Sequence, residues 1–590
     1  MKKTWLELNK LLGKTNNKTD IVYRFKHNGQ VLNDPLEIAN GFGSFFSTVG
    51  RETVNKIPQS VNTANHYMSN NVSNSFFFEP TSAEEISSTI KLLKNKYSSG
   101  CDGYSNNFIK RLNHAISLPL SIIFNKSFME GTYPSQMKIA KIIPVFKAKE
   151  KNKFTNYRPI SLLSNFSKVF EKLVHCRLYK YINKYKILLD NQYGFRPHTS
   201  TIDALTNFYG DVVENLDNDE QVLAVYCDLS KAFDTISHNI LLEKMQSYGI
   251  RGLPLEWFKS YLSNRQLLVD YNNVNSNLYD VTCGVPQGSV LGPLLFALYI
   301  NDLPNCLESA KPILYADDTT IYIHNKSNKI LFQNMNTELE KLAEWFKSNK
   351  LAINIDKTKF MLFRNRNVNY NDEYSLNIDN RLIERCKCFN FLGMTIDELL
   401  SWNDHIKKMQ QKLSYTLYSL RRLKHLLSSD NLTTLYYSLF HSHLDYGLLL
   451  WSNTSQKNIK IVQKLQKKAL RLICKKTYNA PTAQLFETTK ILNIEKCILK
   501  QQHLFMYKYV NNKLPQNVKN LLTSNQNIHN YNTRQKCNPH IQKRKRQITL
   551  NCFLHQAPIK WQTLPNGLKN YKSQNTFLKH LKIYLLTAEN

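Results

Sequence analysis

The segment LYADDTTIY (314–322) sets two aspartates side by side, Asp317 and Asp318, between apolar runs. Apolar runs framing a short polar break read as strand, tight turn, strand. Two carboxylates held together at a hairpin tip repel each other. One reading is a solvated turn, in which Asp caps nearby backbone N–H groups. The other is a divalent cation site, because hard Mg²⁺ prefers carboxylate oxygens together with substrate phosphates. That reading needs a further carboxylate, and VLAVYCDL (222–229) supplies Asp228 at the end of an apolar strand. Asp228 precedes Asp317 by 89 positions, so the fold must bring the two onto adjacent strands of one sheet. Two metals about 4 Å apart activate an attacking 3′-hydroxyl and stabilise a leaving pyrophosphate, which gives the crowded charge a use.

The elements that must position these groups come from a long, basic chain. Its 590 residues suggest three or four domains, and 42% hydrophobic content is enough for a substantial core. Seventy-eight Lys and Arg against 45 Asp and Glu leave a net charge of +33 spread along the chain. Such an excess attracts a polyanion, nucleic acid first, with a merely soluble basic protein as the alternative. The eleven cysteines are scattered without a CxxC pair, which fits free thiols in a reducing compartment. CNPH (537–540) and CFLH (552–555) are only loosely finger-like and read as coincidence. MKKTWLELNKLLGK lacks the apolar core of a secretory signal, and VLGPLLFALYI (290–300) is too short to span a bilayer.

Periodicity predicts a helix over 82–96, a glycine-punctuated turn entering a helix over 97–112, and two strands around a basic loop over 138–163. It predicts further helices over 173–189 and 337–351, and almost continuous helix from about 398. QKRKRQ (542–547) reads either as a nucleic-acid contact or as a solvated loop. No internal repeats or coiled-coil heptads stand out.

YADD, with DLSKAFD upstream and GVPQGSVLGPLLFALYINDLP (284–304) between them, resembles the palm of a reverse transcriptase. NYRPISLLSNFSKVFEKLV (156–174) and NQYGFRPHTST (191–201) resemble its fingers, and WFKSNKLAINIDKTKFMLF (345–363) and FNFLGMTID (389–397) resemble the segments after the catalytic hairpin. Each motif alone is weak, but seven in the family's order over roughly 300 residues are specific. The particular resemblance is to non-LTR (LINE-type, jockey-like) retrotransposon polymerases. SSGCDG (98–103) is similar to their extra N-terminal finger motif, and HNYNTRQ (529–535) through the final WQTLPNGLKNYKSQNTFLKHLKIYLL (561–586) is similar to the ends of their reading frames.

The resemblance implies roles residue by residue. Asp228 and Asp317 would hold the metals, two Mg²⁺ ions with Mn²⁺ as substitute, with Asp318 assisting and the Leu229 backbone carbonyl as a further ligand. Phe233 would sit under the sugar and clash with a 2′-hydroxyl, the alternative being an ordinary buried Phe. Gln287 and Gly288 match the nucleotide-pocket pair; Gln offers a donor and an acceptor, and Gly permits close backbone approach. Arg158 in YRPI would clamp the triphosphate, and Lys147 resembles a second phosphate contact in a loop of several lysines. Lys357 is a candidate general acid for the leaving pyrophosphate, with Lys359 its rival two residues on. Tyr315 is a packing residue near the primer end or core filler.

The fold class expected is an α/β (α+β) right-hand polymerase. Its parts are a 1–80 connector, fingers over 81–221, a palm over 222–397 (core about 138–397), a helical thumb over 398–480 and a basic helical region over 481–590. The expected partners are an RNA template, a DNA primer or target and dNTPs, with no membrane. The compartment would be nucleus or cytoplasm, nuclear action being implied by the family alone. About 80 residues precede the first finger motif, too few for the endonuclease such elements carry, which needs more than roughly 150–200. The chain is therefore expected to be a truncated reading frame. The competing reading is a decayed or co-opted copy that binds RNA without polymerising. A viral replicase, a third class, is disfavoured by Phe233, because it must admit the 2′-hydroxyl.

Overall fold

The computed structural model describes residues 24–27, 30–68, 72–368, 374–525 and 539–587. The opening MKKTWLELNKLLGK, HNYNTRQ and Cys537 of CNPH lie outside the described residues.

Helix α1 (Pro35–Asn55) starts at an Asp34 cap and packs on a fingers sheet. That sheet pairs β1 (Ile139–Phe146) with β2 (Tyr157–Leu162) antiparallel and with the later strand Arg265–Tyr271 in parallel. Phe25, Phe42, Phe154 and Tyr157 fill the small core between helix and sheet. Helix α2 (Asn165–Lys184) begins at a Ser164 cap, eight residues earlier than its apolar period suggests. The helix expected over 82–96 stops at Lys91. Beyond it the Lys94 carbonyl accepts instead from the Asn106 side chain at 2.9 Å.

Helix α3 (Thr201–Asp217) leads into the central palm strand β3 (Gln221–Cys227), every residue of which is buried. Strand side chains alternate faces. Leu223, Val225 and Cys227 join one large core, whereas Val222, Ala224 and Tyr226 join another. The strand is therefore apolar without alternation because both of its faces are covered. The two-residue strand β4 (Leu229–Ser230) continues past Asp228. Helices α4 (His238–Ser247) and α5 (Gly292–Tyr299) follow, and then the hairpin β5 (Lys311–Tyr315) and β6 (Asp318–Asn325). Helix α6 (Asn328–Ser348), β7 (Ala352–Ile353) and β8 (Lys359–Phe363) complete the palm. The sheet order is β5-β6-β3-β8, with Glu384–Arg385 at the edge beside β8.

From Asn403 the regular elements among the described residues are helices, apart from the bridge between Ser524 and Pro539. Helix α7 (Asn403–Leu423) packs on α8 (Gln456–Ile473), and α9 (Ile494–Val510) on α10 (Phe553–Thr563). Their apolar faces share one core with α3 and the palm sheet, so the C-terminal helices extend the palm and thumb core. QKRKRQ is an irregular strip whose Lys543 and Lys545 are exposed. Lys545 and Arg546 donate their backbone N–H groups to the Asp217 carboxylate, each at 3.1 Å, and Arg546 pairs with Asp219. The strip is docked on the end of α3. Cys552 of CFLH is buried in the same core. No described helix is long and apolar enough to cross a membrane.

Candidate active site

The register of the palm sheet brings the carboxylates together. Thr319 pairs with Cys227, so one step further along β3 and β6 sets Asp318 opposite Asp228. On the other side Lys359 pairs with Tyr226, and two steps back set Lys357 opposite Asp228 as well. Tyr315 pairs with Asp318, which leaves Ala316 and Asp317 as a two-residue turn. Ala316 takes a φ of 56° there, a costly conformation for a residue with a Cβ.

The outer segment of residues 191–194 braces that turn. Leu314 donates to the Asn191 carbonyl at 3.0 Å and Tyr193 donates to the Leu314 carbonyl at 2.8 Å. A Cβ on Gly194 would fall 2.2 Å from the Ala316 nitrogen, so only glycine lets the two backbones approach this closely.

Charge is concentrated where the strands meet. The Asp318 carboxyl is pushed up to about 6, first by loss of solvent and then by the charges of Asp317 and Asp228. The Lys357 ammonium lies 3.1 Å from Asp228 Oδ2. Lys359, its rival, turns instead to Glu384 and to the Asp356 carbonyl. Buried Thr358, between them, aims its hydroxyl at the Asp228 N–H, 3.3 Å away. Asn354 donates its N–H to the Asp228 carbonyl at 2.8 Å. In an antiparallel ladder the next pair, Leu229 with Ile353, is then the non-hydrogen-bonded kind, so the Leu229 carbonyl points away from β7. Among the described residues no three His, Cys, Asp or Glu side chains gather into a ready-made cage. Loss of solvent does most to raise Asp318, and the lesser part that comes from the charges of Asp317 and Asp228 is what a cation would relieve.

The remaining candidates are not among the residues lining the pocket at Asp228 and Asp318, and Gln287 lines a second pocket with Ser161 and Asp234. Phe233 is half-buried, stacked on Phe296 with ring centroids 4.6 Å apart and edge-on to Phe195 at 6.0 Å. Gln287 donates its side-chain amide to Asp234 Oδ1 at 2.9 Å, while its backbone carbonyl accepts from the Ser161 N–H at 2.8 Å. Gly288 has a φ of 129°, and a Cβ there would lie 2.6 Å from the Ser161 carbonyl oxygen. Arg158 is exposed on β2 opposite Val145, and Lys147 is exposed just past the end of β1. The Lys147 charge reaches Lys231, whose ammonium burial already pushes down against the pull of Asp234. Tyr315 is half-buried against the core shared by palm and thumb. Thr358, Gly194 and Lys231 have no individual signature in the sequence beyond their places inside DKTKF, NQYGF and DLSKAFD.

Comparison with known proteins agrees with this geometry. The family described as reverse transcriptase (RNA-dependent DNA polymerase) matches residues 148–396. The chain is 29% identical over 437 residues to the probable RNA-directed DNA polymerase from transposon BS of Drosophila melanogaster, covering 71% of this chain and 47% of that protein. It is 28% identical over 404 residues to the RNA-directed DNA polymerase from mobile element jockey of the same fly, covering 66% and 43%. The chain thus spans less than half the length of these curated relatives. Among solved structures, telomerase from Candida albicans with a fragment of telomeric RNA overlaps 61% of this chain and 65% of its own, at 13% identity and a TM-score of 0.34, too distant to bear on the argument. Residues 148–396 thus match the reverse transcriptase family, and about two thirds of the chain is similar to RNA-directed DNA polymerases of the BS and jockey elements.

Proposed function

We propose that the chain is an RNA-directed DNA polymerase that transfers nucleotides from dNTPs onto a primer 3′-hydroxyl, copying an RNA template. The observation that carries this reading is the register that puts Asp228 opposite Asp318, beside the Asp317 turn. Mg²⁺ ions held by Asp228 and Asp317, with Asp318 and the Leu229 carbonyl beside them, would activate the 3′-hydroxyl and neutralise charge on the departing pyrophosphate.

The protein's own groups do the rest. Arg158 and Lys147 face solvent on the fingers and bind the triphosphate, Arg158 as a two-pronged donor and Lys147 as a point charge. Phe233, backed by Phe296, occupies the space a 2′-hydroxyl would need and so favours deoxynucleotides. Gly288 lets the pocket backbone close on Ser161, and Gln287 is steadied by Asp234. Lys357 is placed to give a proton to the leaving pyrophosphate. Tyr315 supports the primer end from beneath the turn. The thumb helix α7 presents Tyr418, Arg421 and Arg422 to solvent, which suits contact with a nucleic-acid backbone.

Primer extension tests the reading: purified protein, Mg²⁺, dNTPs and an RNA template, with Asp317→Ala alongside and RNA binding measured for both over a salt series. Extension by the unsubstituted protein alone, with equal binding, is the expected result. Salt-sensitive binding by both with no extension by either overturns it in favour of a non-catalytic RNA-binding protein.

A further inference from the structure

The Glu171 side chain on α2 is fully buried and belongs to none of the groups assigned above. Its Oε2 accepts from the backbone N–H of Val290 at 2.5 Å and of Leu291 at 3.2 Å. Its Oε1 accepts from the Ser167 hydroxyl at 3.1 Å, and Ser167 is itself 2.8 Å from the Tyr133 hydroxyl. Every bond available to this carboxylate is therefore directed, and two of them cross about 120 residues of sequence to a single turn of backbone.

That turn is the entry to α5. The first N–H groups of a helix have no partner within it and favour a negative charge at that end. Ser289 meets the Gly292 N–H at 2.9 Å, and Pro293 has none to offer, so Val290 and Leu291 would be left unsatisfied in the interior without Glu171. Placing a carboxylate in the core is expensive, and a hydrophobic residue would be the cheaper filler unless the bonds mattered. Immediately before this turn stand Gln287 and Gly288, and one helical turn beyond it stands Phe296, the ring under Phe233.

We infer that Glu171 is a positioning residue: from the fingers helix it fixes the start of α5, and with it both the Gln287–Gly288 pair and the Phe296 support of Phe233. It does not touch substrate. It sets the height at which nucleotide base and sugar meet the pocket, an inference that rests on the polymerase reading for its functional consequence.

Glu171→Gln keeps a carbonyl oxygen for the two N–H groups and removes the charge, whereas Glu171→Ala removes both acceptors. Hydrogen exchange over residues 284–299, followed by mass spectrometry, reads the positioning without needing activity. Exchange there is expected to rise at least tenfold in Glu171→Ala and much less in Glu171→Gln, with β3 (Gln221–Cys227) unchanged in both. In single-nucleotide incorporation, Glu171→Ala is expected to raise KM for dNTP and to narrow dNTP-over-rNTP discrimination several-fold, with kcat changed less and with Glu171→Gln restoring most of both. Should Glu171→Ala not fold, Ser167→Ala, which frees Oε1 alone, is expected to give a smaller rise in exchange confined to the same segment. Exchange rising evenly across the chain, or unaltered KM and discrimination in a folded Glu171→Ala protein that extends primers, overturns the inference. Absence of extension by the unsubstituted protein would count against the polymerase reading alone, and the exchange pattern would still decide the positioning.

Discussion

The Lys357 ammonium lies 3.1 Å from the Asp228 carboxylate, in the turn that leads into β8, which flanks β3 on the side away from β6. The central aspartate of the site thus has a negative neighbour on one side and a positive one on the other. A lysine in that place can steady the carboxylate, give up a proton, or do both. Two substitutions separate these. Lys357→Arg keeps the charge but holds its proton too tightly to donate it. Lys357→Ala loses both. If the proton matters, kcat falls about 100-fold in each variant, in line with the usual contribution of a general acid. Activity close to normal in Lys357→Arg would leave Lys357 a counter-ion only. Lys359, engaged by Glu384, is expected to be replaceable by Ala with little effect on kcat.

Asp318 would make the proposed metal site sensitive to pH. Its carboxyl ionises at about 6 rather than near the ordinary 3.8, because solvent is scarce and Asp317 and Asp228 repel its charge. The folded protein therefore takes up this proton more readily than the unfolded chain does. Without metal, the site adds stability below about 6 and loses that contribution as pH rises through it. Asp318→Asn should raise the melting temperature of the metal-free protein at pH 7.5, and this advantage should shrink by pH 5. Cation binding has the opposite slope, since the carboxylate must be free. Mn²⁺ affinity, followed by electron paramagnetic resonance, should weaken with falling pH below about 6 in the unsubstituted protein.

Gly194 and Ala316 test whether the catalytic turn needs its brace. A methyl group on Gly194 would sit 2.2 Å from the Ala316 nitrogen, so one of the two backbones must move. The turn already carries a positive φ at Ala316, and a shift there displaces Asp317 directly. Overpacking of this kind costs about 1–3 kcal/mol. Gly194→Ala is expected to lower primer extension at least tenfold while leaving RNA binding across a salt series unchanged. Normal extension rates would mean that the outer segment of residues 191–194 yields instead of the turn.

The parts legible in the sequence are those that depend on local pattern. Asp317 and Asp318 stand out because an apolar run on each side makes the polar break a turn, and Asp228 because it ends an apolar strand. What the sequence cannot give is the cross-strand register, which alone separates Lys357 from Lys359. Alternation along a strand puts both on the same face, and only the partners Asp228 and Glu384 tell them apart. Glu171 is illegible for a related reason: within KVFEKLV it looks like any charged position on a helix, and its burial follows from α5 arriving from far along the chain. The docking of QKRKRQ is not legible either, because a basic run carries no sign of the two aspartates, Asp217 and Asp219, that receive it.

A buried ion pair beneath the palm offers the sharpest test of the fold itself. Lys244 on α4 and Asp302 just after α5 are almost wholly buried and lie 2.5 Å apart. Burial pushes the lysine down and the aspartate up, and their attraction opposes both shifts. The ammonium also donates to the Tyr299 carbonyl at 2.7 Å and faces the Tyr299 and Trp345 rings at 5.2 and 5.0 Å. Removing one partner strands the other charge in the core, which costs about 3–5 kcal/mol, whereas replacing both with apolar groups of similar volume is often neutral. Lys244→Met should therefore lower unfolding free energy by about that amount, and Lys244→Met with Asp302→Leu should recover most of it. Denaturant titration of the three proteins measures this. The pair contacts neither the carboxylates nor the nucleotide pocket, so the folded fraction of each variant should extend primers at the normal rate. A single substitution costing less than about 1 kcal/mol would mean that water or a rearranged Tyr299 carbonyl satisfies the remaining charge, and that the pair is not what joins α4 to the end of α5.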